Sequence, residues 1–205
     1  MWNEPSAGVA VTALDPASPS RQPEPAVVAS VEAGSIGEEL GFEPGDQLLS
    51  INGVRPRDLI DYRYLIVEEE LTLEVRDSAG ELHCVELEKD ADDGLGLEFT
   101  EALFDGLRQC TNRCSFCFID QQPPGHRDSL YLKDDDYRLS FLYGSYLTLT
   151  NLSDSDWERI EQQRLTPLFV SVHATDPDLR STLLENPRAG KLLEQLKWFA
   201  QRDLQ

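Results

Sequence analysis

The chain reads as an α/β protein preceded by a small β-rich domain. Three observations carry that class. From Leu71 to Leu87 apolar and polar residues alternate, the pattern of a hairpin buried on one face and wet on the other. Beyond Leu95 the order becomes strand, helix, strand, helix, which implies a parallel sheet. An acidic connector, "EKDADDG", separates the two regimes.

A length of 205 residues suits two modules better than one core. The 38 Asp and Glu against 18 Lys and Arg give a formal charge of -20, a surface that repels phosphate backbones and anionic lipid. Nucleic acid and membrane are therefore not expected partners. The N-terminus lacks a basic segment, and its uncharged run from Pro5 to Leu14 is too short and polar for a signal core or membrane span. The expected location is cytoplasmic, where clustered cysteines bind metal or do redox chemistry more often than they form structural disulfides.

Residues 1–25 hold five prolines and no sustained apolar period, so they read as a flexible leader. The β-rich domain follows at 26–90. "AVVASV" is a short buried strand, "GSIGEELG" a helical turn closed by Gly41, and "EPGDQLLSING" a turn, a strand and an Asn-Gly turn. "RDLIDYRYLIVEEE" is helical, with Leu59, Tyr62 and Ile66 on one face. In the hairpin Leu71, Leu73 and Val75 face inward on one strand, Val85 and Leu87 on the other; Cys84 reads as a small half-buried residue.

The second domain spans 95–205. "SYLTLTNL" reads as a strand, "SDSDWERIEQQR" as a helix capped by Ser153 or Ser155, and "LFVSVHA" as a strand buried on both faces. Leu192, Leu196, Phe199 and Ala200 form the apolar stripe of a last helix. The run Asp134, Asp135 and Asp136 reads as a solvated loop, since it lacks the spaced oxygens and glycine of a calcium loop.

Cys110, Cys114 and Cys117 place three of the four cysteines within eight positions. From one loop, C-x3-C-x2-C lets three thiolates meet a cluster face, whereas structural zinc takes four protein ligands. His126 offers a fourth ligand for zinc, across a nine-residue gap and a proline-rich approach unlike finger spacing. Arg108, Arg113 and Arg127 flank the cysteines as candidate cations for an anionic cluster, and His173 follows a strand toward the same end.

Two resemblances sharpen this reading. "GSIGEELGFEPGDQLLSINGV" resembles a bacterial, circularly rearranged PDZ domain through Gly34, Ser35, Leu40, Gly41, Pro44, Gly45, Asp46, Ile51, Asn52 and Gly53. PDZ domains capture peptide C-termini by strand addition, with a Gly-hydrophobic-Gly loop ahead of the receiving strand. That place here holds "RQPEPA", and the comparable Gly94-Leu95-Gly96-Leu97 comes after the hairpin, so a docking or packing module is expected.

The cysteine stretch resembles the radical S-adenosylmethionine (SAM) superfamily, whose motif is C-x3-C-x-aromatic-C. Over residues 27–205 the wording is similar to a bacterial group of radical SAM iron-sulfur proteins carrying an N-terminal PDZ-like domain. The resemblance implies a [4Fe-4S] cluster on Cys110, Cys114 and Cys117, SAM on the open iron, and Phe116 against the adenine. It also implies reductive cleavage of SAM to a 5'-deoxyadenosyl radical that abstracts hydrogen from a substrate, with a polypeptide as the candidate and a flavodoxin or ferredoxin as electron donor. The family's Gly-Gly-Glu motif is absent from "YGSYLTLTNLSD", leaving Thr148, Thr150 and Asn151 as candidates for the methionine group and no assigned catalytic residue.

Leu95 to Gln205 leaves 111 residues (205 − 95 + 1), room for about three βα units. The family's barrel needs about twice that, so the expected fold is the N-terminal part of a partial (β/α) barrel, truncated and without the group's C-terminal domain. The competing reading is a non-catalytic adaptor with a structural zinc or iron-sulfur site.

Overall fold

The computed structural model describes residues 25–205, so the leader lies outside the described residues apart from Pro25. Seven strands and six α-helices follow. The first domain holds β1 (Ala26–Val31), α1 (Ile36–Glu39), β2 (Gln47–Ile51), α2 (Leu59–Leu65), β3 (Glu70–Arg76), β4 (Leu82–Glu88) and β5 (Leu97–Phe99). They form one antiparallel sheet in the order β4-β3-β2-β1-β5. The hairpin alternation becomes its core: Leu71, Leu73 and Val75 pack with Leu48 and Ile51. Cys84 is exposed, contrary to the half-buried expectation. Opposite Glu74, it lies on the wet face of the edge strand β4, out of phase with Val85 and Leu87.

Sequence order placed Leu95–Phe99 in the second domain; the structure pairs β5 with β1 instead. Leu95 and Leu97 are buried in the first core, and the Leu95 carbonyl accepts the Gly37 amide at 2.8 Å. Gly96 makes that approach feasible. Its φ is +70°, and any Cβ there would collide with Ser35.

The second domain comprises α3 (Tyr137–Tyr143), β6 (Tyr146–Leu147), α4 (Asp154–Gln162), β7 (Phe169–Val170), α5 (Pro177–Leu184) and α6 (Leu192–Ala200). Strands β6 and β7 pair in parallel, with α4 as their crossover. A capping box between Ser153 and Asp156 starts α4, while Asp136 and Asp176 cap α3 and α5. Both strands are far shorter than their sequence runs. Leu149 and His173 take left-handed backbones (φ 61° and 60°) and end the extended paths, and Phe169 is exposed beside Tyr146 instead of buried on both faces.

Buried ion pairs join the domains. Asp58 is 0% exposed; its carboxylate caps α2 through the amides of Ile60 and Asp61 and accepts from Arg138 and Arg159. Arg138 also binds Asp136 and Asp105, and Arg159 pairs with Asp61. Ile60 of α2 packs in the second domain's core with Tyr137 and Ile160. The presumption of a solvated "DDD" run fails here. Only Asp134 is exposed; Asp135 and Asp136 are buried because each is fully engaged by partners.

Candidate cluster-binding site

The cysteine loop hangs between fixed points. Ahead of it, Gln109 bridges Asp134 and the Cys110 amide donates to the Lys133 carbonyl at 2.7 Å. Within it the Arg113 amide binds the Leu184 carbonyl at the end of α5, and the Cys117 amide binds the Cys114 carbonyl. Beyond it Asp120 and Lys133 form an ion pair. Cys110, Cys114 and Cys117 are all half-buried, free thiols.

Asn112, inside the cysteine motif, is 3% exposed and organises the loop's inner side. Its Nδ2 donates to Cys110 Sγ at 3.3 Å and to Thr148 Oγ1 at 3.0 Å. Its Oδ1 accepts from Thr150 Oγ1 and from Asn186 Nδ2. Thr148 in turn bonds the Asp135 carboxylate through both its amide and its hydroxyl. The hydroxyls of Thr148 and Thr150 stand 2.8 Å apart, whereas an extended strand separates alternate residues by roughly 6.6 Å; the left-handed Leu149 between them curls the chain.

The structure therefore brings Thr148, Thr150 and Asn151 to the cysteines, behind the loop. The two hydroxyls are already bonded. Asn151 Nδ2 binds the carbonyls of Asp135 and Gln109, while its Oδ1 is buried and accepts no hydrogen bond among the described residues. Phe116 is 46% exposed, with its ring 5.5 Å from that of His173. None of the flanking arginines pairs with a thiol in the hydrogen bonds of the described residues. Arg108 pairs with Asp156 and lies over the Tyr137 ring, and Arg113 and Arg127 are exposed on the surface.

Burial pushes the Cys110 thiol up to about 11, with the Asp135 charge adding to it. Burial and then the neighbouring Cys117 raise Cys114. Asp135 is raised by its own burial. Desolvation of its ring, then the Arg180 charge, hold His173 below the ordinary imidazole value.

Three half-buried thiols on one anchored loop are a donor set that would suit a metal centre. A tetrahedral zinc with Zn–S near 2.3 Å would hold its sulfurs about 3.8 Å apart. Among the described residues, the group with three ligand atoms within 4.8 Å is Asp77, Glu81 and His83 on the exposed hairpin, not the cysteines.

Asn112, Asp135, Arg180 and Asn186 were not legible as site residues. Asn112 alone carried a signal, by lying between Cys110 and Cys114; Asp135 was hidden in a charge run, Asn186 reaches Asn112 from a distant turn, and Arg180 binds the Thr148 carbonyl from a distant helix.

A family model described as a Radical SAM-like domain matches residues 89–205, and one described as a PDZ domain matches residues 27–77. Among solved structures, the PDZ domain of the SdrC-like protein from Listeria innocua is similar at 16% identity. It covers 40% of this chain and 99% of its own, with a TM-score of 0.32. No curated protein matches this chain. No helix among the described residues is long and apolar enough to cross a membrane.

Proposed function

Because this chain belongs to the Radical SAM-like domain family, we propose that it is a radical SAM enzyme of the oxidoreductase type that holds a [4Fe-4S] cluster on Cys110, Cys114 and Cys117. When bound, the cluster and SAM supply one electron and a carbon-sulfur cleavage that yields methionine and a hydrogen-abstracting 5'-deoxyadenosyl radical. The observation that carries the reading is the set of three half-buried thiols on one anchored loop, with Asn112 donating to Cys110 Sγ.

Each residue has a task in this reading. Asn112 orients Cys110 and ties the loop to the end of β6. Thr148 and Thr150 fix Asn112 and Asp135, and Asn151 ties the strand end to the Asp135 and Gln109 carbonyls beside the cysteines, where the methionine group of SAM would lie. Phe116 presents an exposed ring for the adenine, steadied by His173.

The test is anaerobic reconstitution with iron and sulfide, reduction, and addition of SAM. A changed cluster EPR signal and 5'-deoxyadenosine are expected. Stoichiometric zinc without a cluster would overturn the reading; a cluster blind to SAM would leave the adaptor alternative.

The PDZ-like domain serves in this scheme to recruit a polypeptide C-terminus at β5. Although Gly94–Leu97 follows the hairpin in sequence, it leads directly into β5, the sheet's edge strand, whose first residue is Leu97. The Gly96 carbonyl and Thr100 amide bond to β1, so antiparallel alternation turns the main-chain groups of Leu97 and Phe99 to the free edge. The carbonyls of Leu95 and Gly96 point to Gly37 and Glu32; planar trans peptides then aim the amides of Gly96 and Leu97 outward, toward an incoming carboxylate. Phe99 packs against Tyr62 of α2 and against Phe104, which limits recognition to the last residues of the peptide. NMR titration should show Gly96 and Leu97 amides shifting with a peptide acid and not with its C-terminal amide.

A further inference from the structure

Arg180 is a buried cation with no carboxylate hydrogen-bonded to it among the described residues. It is 1% exposed. Its guanidinium donates only to main-chain carbonyls: Nε to Val172, Nη1 to Ala189, and Nη2 to Thr148 and Ser171, at 2.7–2.9 Å. Those carbonyls lie just past the ends of β6 and β7 and in the turn before α6. Carbonyls satisfy the N–H groups but carry no net charge, and burying an ion without a counter-charge is strongly unfavourable. Four bonds to three separate segments also hold the group rigidly in place.

The cation stands behind the cysteine loop. Thr148, whose carbonyl binds Arg180, holds through its side chain both Asp135 and Asn112, and Asn112 donates to Cys110 Sγ. From the other side, α5, which carries Arg180, ends at Leu184, whose carbonyl binds the Arg113 amide between Cys110 and Cys114. Asp135 is the acid of this network; Thr148 bonds both it and Arg180, and the Arg180 guanidinium feels the charges of Asp135 and Cys114 without a direct hydrogen bond to either. Three thiolates and an iron-sulfur core carry net negative charge, and the reduction potential of such a group responds to fixed charge, hydrogen bonds to sulfur and burial.

We propose that Arg180 is a positioning residue that sets the charge balance of the cysteine site, offsetting a thiolate-held cluster and raising its reduction potential. The proposal rests on the reading of the three cysteines as cluster ligands. It assigns the counter-charge to a residue 63 positions beyond Cys117 (180 − 117), not to the arginines that flank the motif in sequence.

The experiment is an EPR-monitored redox titration of the reconstituted full chain, with iron and sulfide content measured for each variant. Arg180→Gln, which keeps an N–H donor but no charge, is expected to shift the midpoint to a more negative potential at unchanged cluster content. Arg180→Lys retains the charge and should titrate at the wild-type potential while unfolding at a lower temperature. Asp135→Asn should move the midpoint in the positive direction. A purely structural role would instead shift the Gln and Lys potentials alike, in step with lost stability, and would overturn the proposal. So would an Arg180→Gln protein titrating at the wild-type value. Should the Gln variant fail to fold, the Lys and Asp135→Asn variants decide together: an unchanged Lys midpoint with a positive shift for Asp135→Asn supports the proposal, and a negative Lys shift or an unmoved Asp135→Asn midpoint refutes it. Wild-type protein that takes no cluster overturns this inference together with the reading beneath it, whereas a wild-type cluster insensitive to Arg180 overturns this inference alone.

Discussion

Replacing Asp58 with alanine should weaken the fold more than any other change at the domain boundary. The side chain is 0% exposed and accepts from the amides of Ile60 and Asp61 at 3.0 and 2.9 Å, from Arg159 at 2.7 and 2.8 Å, and from Arg138 at 3.3 Å. Truncation leaves two buried guanidinium groups short of a counter-charge, a loss of about 3–5 kcal/mol. It also removes the α2 cap, worth about 1 kcal/mol. The expected total is about 4–6 kcal/mol, which for a chain of this length lowers the melting temperature by roughly 10–20 °C. Urea unfolding followed by circular dichroism measures it. Asp58→Asn separates the parts, because its amide oxygen still accepts from the α2 amides while the charge is gone; it should recover about 1 kcal/mol. A loss below about 1 kcal/mol for Asp58→Ala would refute the claim that Arg138 and Arg159 depend on this carboxylate.

Cys114→Ala should lose bound iron and sulfide altogether, and full retention would remove Cys114 from the ligand set. Alkylation of Cys110 in the metal-free protein should accelerate as pH rises toward about 11, later than for an ordinary thiol, because burial resists its thiolate; mass-spectrometric rates that level off near pH 9 would contradict this. Gly96→Ala should destabilise by roughly 2–4 kcal/mol, since it combines a left-handed backbone with a collision against Ser35; thermal unfolding within a few degrees of wild type would show that the loop yields. On the acid side, burial raises Asp61 and Asp156, but Arg57 and Arg159 for the first, and Arg108 and Ser153 for the second, leave both below 3.8. Their contribution is therefore complete above that value and lost as pH falls through the depressed folded values, so stability should decline steeply only below about pH 4.

Some of this was readable from local pattern alone. Alternation placed Leu71, Leu73 and Val75 in the core because a strand has period two, and a helix start at Ser153 or Ser155 was visible from serines followed by acids, of which the structure uses Ser153. Gly94–Leu97 was visible as a motif but not as part of the first sheet, because strand pairing across more than sixty residues leaves no mark in local sequence. "SYLTLTNL" overstated its strand for a related reason. The residue that ends it is Leu149, an ordinary strand former held left-handed by tertiary contacts, where sequence would look for glycine.

The chemistry of the site belongs to the sequence: three thiols at C-x3-C-x2-C, with Phe116 before the last, are a covalent fact that needs no folding to be seen. The environment of those thiols belongs to the tertiary structure. An aspartate in a run of three becomes a buried carboxylate on Thr148, and an arginine from α5 becomes a buried cation held only by main-chain carbonyls, because hydrogen bonding and desolvation depend on which segments the fold brings together. Residue type fixes what a group is able to do; burial and partners fix its charge and its strength.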